Sequence, residues 1–134
     1  MKCFIRCSGE LQLRWSPVCI FKVRIFAFGD GLGTQNALQP FPGQYNEKTF
    51  RGLDYVLMKA GEMGVMLMPS LVNNWPAWGG KQAYVAWSPT ASEENQFFSD
   101  QVCKQLFMNN VRAVLERINT YTGIAYKVRH LLVQ

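Results

Sequence analysis

The stretch Val65-Met66-Leu67-Met68-Pro69-Ser70-Leu71-Val72 runs straight into Asn73-Asn74-Trp75-Pro76-Ala77-Trp78-Gly79-Gly80-Lys81. The first part is a continuous apolar run of strand length, which predicts a buried strand of a parallel sheet. The second part is rich in aromatic, amide and glycine residues. Aromatic faces stack on the C–H groups of sugar rings, and side-chain amides both donate to and accept from hydroxyls. These residues point to a sugar-contacting loop at the end of a buried strand.

The neighbouring segments supply a matching framework. Phe21 to Phe28 is β-branched and aromatic and predicts another strand, with Arg24 as its odd internal charge. A guanidinium inside a buried strand requires a carboxylate or several acceptors. Gly29 to Gly43, broken by Pro40 and Pro42, predicts a loop. Asn46 stands where a helix N-cap would, and Glu47 follows in the first turn. Phe50, Leu53, Val56, Leu57 and Ala60 then recur at helical spacing, with Gly64 as the stop. Asn73 to Asn95 predicts one long loop, whose length suggests binding. Phe98, Val102, Leu106, Val111, Val114, Leu115 and Ile118 predict a long amphipathic helix ending near Gly123. Strand, helix, strand, helix is the grammar of a parallel α/β sheet.

Three stretches together resemble the plant endo-β-1,4-mannanases of glycoside hydrolase family five. They are Arg24-Ile25-Phe26-Ala27-Phe28-Gly29-Asp30-Gly31, the loop from Asn73 to Lys81, and Gln82-Ala83-Tyr84-Val85-Ala86-Trp87. The resemblance runs from about Val23 to Lys127. It implies a partial (β/α)8 barrel, a fold of about 250 residues when whole. Residues 23–127 would hold roughly the second and third β/α units, with residues 1–22 and 128–134 unmatched at either end. A sheet of this kind would keep two raw edges. The family hydrolyses internal β-1,4-mannosidic bonds of mannan, glucomannan and galactomannan with retention. The resemblance thus implies a mannan-type polysaccharide as partner, no metal or organic cofactor, and an extracellular location.

The resemblance also assigns residues. Arg24 would hydrogen-bond the nucleophilic glutamate and hold it ionised; the alternative is a strand-end arginine reaching solvent. Phe26 stands where the family usually has Trp, keeping a ring but no indole N–H, so sugar contact and simple core packing both stay open. Trp75 and Trp78 would stack on mannose rings, or else lie beneath a loop folded over its own aromatics. Asn73 and Asn74 would orient sugar hydroxyls, or cap the loop. Tyr84 and Trp87 are expected to pack beneath it.

Retaining glycosidases use two carboxylates about 5 Å apart, one as acid/base and one as nucleophile. Asn46-Glu47 mimics the Asn-Glu of the family's acid/base motif, but Lys48 follows where Pro is expected and the pair opens a helix. Glu93-Glu94 is expected to be solvated, and Glu116, between Arg112 and Arg117, to be a surface salt-bridge position. After Thr122-Gly123-Ile124-Ala125-Tyr126-Lys127 the family continues to a strand ending in Asn-Glu-Pro, whereas this sequence reads Val128-Arg129-His130-Leu131-Leu132-Val133-Gln134. The resemblance therefore places both catalytic glutamates outside these residues. The chain is read as a truncated form of such an enzyme, the alternative being an inactive remnant that at most binds mannan weakly.

Charge and cysteines narrow the classes. The net charge of +5 is concentrated at the ends: Lys2, Arg6, Arg14, Lys22 and Arg24 face Glu10 alone, and Lys127 and Arg129 lie in the tail. Residues 25–126 hold seven basic and eight acidic residues, so no basic stripe marks a nucleic-acid partner. Cys3, Cys7, Cys19 and Cys103 lack metal-site spacing, and their disulfide pairing is open. The run from Val18 to Phe28 is interrupted by Lys22 and Arg24 and is too short to span a bilayer. Arg6 interrupts any apolar leader core, so no export signal is evident. His130, the one histidine, lies in the unmatched tail, and the oligomeric state is open.

Overall fold

The computed structural model describes residues 21–31 and 36–129. The expectations placed on residues 1–20, including Cys3, Cys7 and Cys19, and on His130 to Gln134 lie outside the described residues.

Strand β1 (Phe21–Phe26) and strand β2 (Val65–Ser70) pair in parallel, from Phe21 opposite Val65 to Phe26 opposite Ser70. Helix α1 (Glu47–Glu62) makes the crossover between them, as a parallel pair requires. Successive strand residues point to opposite faces. Ile25, Val65, Leu67 and the following Leu71 pack on the helical side with Phe50 and Leu57 of α1. Lys22, Arg24 and Phe26 fall on the other face, and all three are exposed. The fold is thus the expected parallel α/β arrangement, covered by helices on one face.

Helix α1 begins as the sequence predicts. Asn46 Oδ1 accepts from the N–H groups of Lys48 at 3.1 Å and Thr49 at 3.3 Å, satisfying two of the orphan donors of the first turn. Gly64, at φ 69°, turns the chain into β2.

Three expectations are corrected. The first strand ends at Phe26 rather than Phe28, because Ala27 to Asp30 turn away to meet Leu38 and Gln39. The segment Asn73 to Asn95 is not one loop, since it contains helix α2 (Gly80–Trp87) and the start of a 3-10 turn (Glu94–Phe98). Helix α2 has a glycine N-cap and no side-chain cap, so its stability is tertiary: Tyr84 and Val85 are buried against Phe97 and Cys103. Third, the long helix is shorter than its apolar pattern. It is helix α3 (Gln101–Glu116), separated from Phe98 by the Asp100 N-cap. Asp100 accepts from Cys103 N at 2.8 Å, Ser88 Oγ at 2.9 Å and Thr90 Oγ1 at 2.6 Å. A short helix α4 (Tyr126–Arg129) closes the described chain. No helix among the described residues is long and apolar enough to cross a membrane.

Candidate functional site

The C-terminal ends of β1 and β2 lie side by side, so the segments that leave them share one end of the sheet. Arg24 is exposed there, and its Nε donates to Ser70 Oγ at 2.7 Å across the strand pair. It is not enclosed in a buried strand, because nothing among the described residues covers that face of the sheet. Phe26, on the same face, is 76% exposed, and its ring lies 5.1 Å from that of Phe28.

The aromatic loop leaves β2 through an Asx turn. Asn73 Oδ1 accepts from Trp75 N at 3.2 Å, and its Nδ2 donates to the Ala77 carbonyl at 2.8 Å. The Asn73 amide is thus engaged in shaping the loop, while Asn74 is exposed. Trp75 is 71% exposed and Trp78 63%. Neither ring is tucked beneath its own loop.

The loop owes this posture to a run of left-handed backbone. Trp78 has φ 68°, Gly79 φ 92° and Gly80 φ 54°. A non-glycine residue held there stores strain of about 1–3 kcal/mol, which persists only when its surroundings impose it. Here they do. The Trp78 carbonyl accepts from Asp30 N at 3.1 Å. A Cβ on Gly79 would come within 1.9 Å of the Asp30 carbonyl oxygen, and one on Gly80 within 2.5 Å of the Trp75 carbonyl oxygen. The loops after the two strands are sewn together at Asp30, and only glycine fits the seam.

The Asp30 side chain is anchored beneath. It is buried, and Oδ1 accepts from the Tyr84 hydroxyl at 3.3 Å. With the Gln39 amide turned so that its nitrogen faces Asp30, that nitrogen donates to Oδ1 at 3.3 Å and the amide oxygen accepts from Gly43 N at 2.9 Å. Tyr84 in turn accepts from Asn110 Nδ2 at 2.9 Å. Burial pushes the Asp30 pKa up to about 7, against the downward pull of the Tyr84 hydrogen bond. Tyr84 is itself raised, by burial first and then by the neighbouring Asp30 charge. Tyr84 is buried in a cluster of its own with Val85, Phe97 and Cys103, and the rings of Trp87, Phe97 and Phe107 stand 5.2, 5.7 and 5.6 Å from its ring.

The carboxylates do not assemble as an acid/nucleophile pair among the described residues. Glu47 and Asp54 are brought to one cation, since both reach the same Arg117 nitrogen, Nη2, at 3.0 and 2.9 Å. Arg117 also holds them through Nη1 to Glu47 at 3.0 Å and Nε to Asp54 at 3.0 Å. Asp54 accepts further bonds from Thr120 Oγ1 at 2.9 Å and from the Tyr126 hydroxyl. Burial works against the Asp54 charge, but hydrogen bonds from Arg117, Tyr126 and Thr120 outweigh it and hold the pKa below the ordinary carboxylate value. A general acid needs the opposite. The open pocket of about 330 Å³ beside this pair is lined by Tyr45, Phe50, Glu116 and Ile118 among others.

Two surface expectations are also corrected. Glu116 makes none of the ion pairs found among the described residues, because Arg117 turns inward to Asp54 and Glu47. Glu93 and Glu94 are not simply solvated. Glu93 forms a capping box with Gln96, and Glu94 pairs with Lys81 at 3.0 Å, which also lies over the Phe98 ring. No cluster of three His, Cys, Asp or Glu residues among those described is arranged to hold a metal. Cys103 is a buried free thiol whose pKa burial raises.

The parallel strand–helix–strand unit, with an aromatic loop pinned at the strand ends, is a piece of an α/β fold. Residues 5–132 match the family described as GH family 5 beta-mannosidase-like, and the chain belongs to that family. It is 44% identical over 108 residues to mannan endo-1,4-beta-mannosidase 1 of Oryza sativa subsp. japonica, covering 78% of this chain and 25% of that protein. Against mannan endo-1,4-beta-mannosidase 4 of Solanum lycopersicum it is likewise 44% identical over 108 residues, covering 78% and 27%. The endo-beta-1,4-mannanase from Thermotoga petrophila superposes with a TM-score of 0.74 at 32% identity, over 81% of this chain and 26% of that structure. The family 5 mannosidase from Rhizomucor miehei gives 0.74 at 27%, over 81% and 32%. The chain is thus homologous to endo-β-1,4-mannanases and spans about a quarter of the length of the curated relatives it matches.

Proposed function

We propose that this chain carries part of the mannan-binding cleft of a retaining endo-β-1,4-mannanase, and that its 134 residues alone bind mannan without cleaving it. The observation that carries the reading is the Trp75–Trp78 loop. It is held open at the strand ends by the Asp30–Trp78 bond, with both rings presented to solvent. In this reading the two strands with their helices are the second and third β/α units of a (β/α)8 barrel. Trp75 and Trp78 stack on mannose rings, Asn74 and Phe26 add contacts, and Asn73 sets the loop. Arg24, exposed on the open face of the sheet and bonded to Ser70, supports the nucleophilic glutamate. Its place on the face of the sheet that becomes a barrel interior is what supports that role.

The inactivity of the chain follows from its carboxylates. Retention requires two carboxylates about 5 Å apart, one as acid/base and one as nucleophile; among the described residues Glu47 and Asp54 are neutralised by Arg117, and Asp30 is buried beneath the loop against Tyr84. An extracellular site of action is part of the same proposal, since mannan is a wall polysaccharide. The test combines affinity electrophoresis in galactomannan gels with reducing-sugar release from glucomannan and galactomannan. Retardation without sugar release supports the reading. Unretarded migration of a folded sample overturns binding, and release above a blank overturns inactivity.

A further inference from the structure

The segments that follow β1 and β2 meet at one dipeptide. The Asp30 N–H holds the Trp78 carbonyl at 3.1 Å, and the next backbone N–H, that of Gly31, holds the Gln39 carbonyl at 3.0 Å. The first bond pins the aromatic loop. The second pins the segment that leads, two residues on, to Phe41. We infer that Phe41 is a further sugar-contacting residue, which adds a third ring to Trp75 and Trp78 and takes the backbone of a β-1,4-linked mannan chain. This deepens the mannan-binding reading and rests on it.

Phe41 opens a tight turn. Gln44 N donates to the Phe41 carbonyl at 2.9 Å, with Pro42 and Gly43 between them, and Gly43 has φ 73°. Proline at the second position and a left-handed glycine at the third are the pattern of a type II turn. The turn is fastened from within, because the amide oxygen of buried Gln39, with its nitrogen towards Asp30, accepts from Gly43 N at 2.9 Å. Pro40 and Pro42 flank Phe41, and each fixes its own φ. The four residues from Phe41 to Gln44 are all exposed. The backbone is thus held while Phe41, at 42% exposure, reaches solvent.

A single exposed phenylalanine is ordinary on a protein surface. Placement, anchoring and chemistry set this one apart. It lies in the segment after β1, at the strand ends where a barrel carries its site. Its segment shares the Asp30-Gly31 anchor with Trp78, so the turn and the aromatic loop stand alongside one another. Its mount is rigid, so little freedom is lost when a ligand settles on the ring. Residues 39–44 read Gln-Pro-Phe-Pro-Gly-Gln and carry no charge. That composition suits an uncharged ligand with C–H faces and hydroxyls. The exposed Gln44 amide can both donate to and accept from such hydroxyls.

The experiment is calorimetric titration of the 134-residue chain with mannotriose and mannohexaose, in the wild type and in Phe41→Ala, Phe41→Leu, Phe41→Trp and Trp75→Ala. Urea midpoints of the same samples show that each is folded. The longer sugar reaches all three rings, so Phe41→Ala and Phe41→Leu should each weaken mannohexaose binding roughly three- to tenfold. Mannotriose binding should not change in either, and Phe41→Trp should keep the mannohexaose affinity. A purely structural Phe41 would be served as well by Leu as by Trp, so equal binding in those two variants overturns the inference. Should Phe41→Ala fail to fold, Phe41→Leu against Phe41→Trp decides. Binding that is lost in Trp75→Ala but unmoved in Phe41→Leu overturns this inference and leaves the cleft reading standing. A folded wild-type chain that binds neither sugar overturns both.

Discussion

Arg117 closes on Asp54 with two nearly parallel hydrogen bonds, Nε to Oδ1 at 3.0 Å and Nη2 to Oδ2 at 2.9 Å. Asp54 is wholly buried in the middle of α1, and Arg117 sits just past the end of α3, 63 residues away. The pair ties the segment after α3 to the first crossover helix. The Asn119 side chain reinforces the tie by donating to the Asp54 carbonyl at 2.8 Å.

Removing one partner leaves the other charge buried and unpaired, so Arg117→Ala is predicted to destabilise the chain by about 3–5 kcal/mol. Arg117→Lys should recover only part of that, because a point-like ammonium cannot reproduce the two-pronged contact to Asp54 and the second one to Glu47. Urea unfolding followed by circular dichroism measures both.

Asp54 and Asp30 predict opposite responses to pH. The folded-state pKa of Asp54 is lowered, so its stabilisation is complete above the unfolded carboxylate pKa and is lost as pH falls through the folded value. Asp30 is the reverse. Between its ordinary value of 3.8 and about 7 the folded state keeps a proton that the unfolded chain has released. Stability from protonated Asp30 is therefore full below pH 4 and declines as pH rises through 7, by on the order of 4 kcal/mol. Denaturant midpoints from pH 3 to 8 should show an acid limb that is weakened in Asp54→Asn and a decline toward neutrality that is absent in Asp30→Asn.

Gly79→Ala is predicted to lift the aromatic loop off the β1 loop. The added methyl collides with the Asp30 carbonyl oxygen, and the positive φ adds about 1–3 kcal/mol of backbone strain. The expected readout is a lowered unfolding midpoint together with an altered Trp emission maximum.

Trp75→Ala should do the opposite. Its ring is mostly exposed, so the folding free energy should change by no more than about 0.5 kcal/mol, while mannan retardation is lost. A large loss of stability would show that the ring packs rather than binds.

Much of this architecture was legible in local sequence. Asn46 announced the start of α1, the apolar run from Val65 announced β2, and the aromatic and amide residues from Asn73 announced a loop after it. Helix α2 was not legible, because Gly79 gives it no capping side chain and Tyr84, Val85 and Trp87 are weak helix formers; its burial against Phe97 and Cys103 overrides both. Arg24 looked enclosed because the flanking residues are apolar, but exposure depends on what covers the sheet, which no local pattern states. Asp54 and Asp30 left faint signals. Asp54 interrupts the Phe50–Leu57 stripe of α1, and Asp30 sits between two glycines at the end of an apolar strand. An acid in an apolar stripe marks a buried pair, but its partner was 63 residues distant and invisible to helical or strand periodicity.

The most direct measurement is calorimetric titration of the folded 134-residue chain with mannohexaose, beside cellohexaose and the Trp75→Ala variant. The account predicts saturable binding of mannohexaose, weaker binding of cellohexaose and loss of binding in Trp75→Ala. Binding that survives Trp75→Ala, or heat no different from buffer with the wild-type chain, would contradict it.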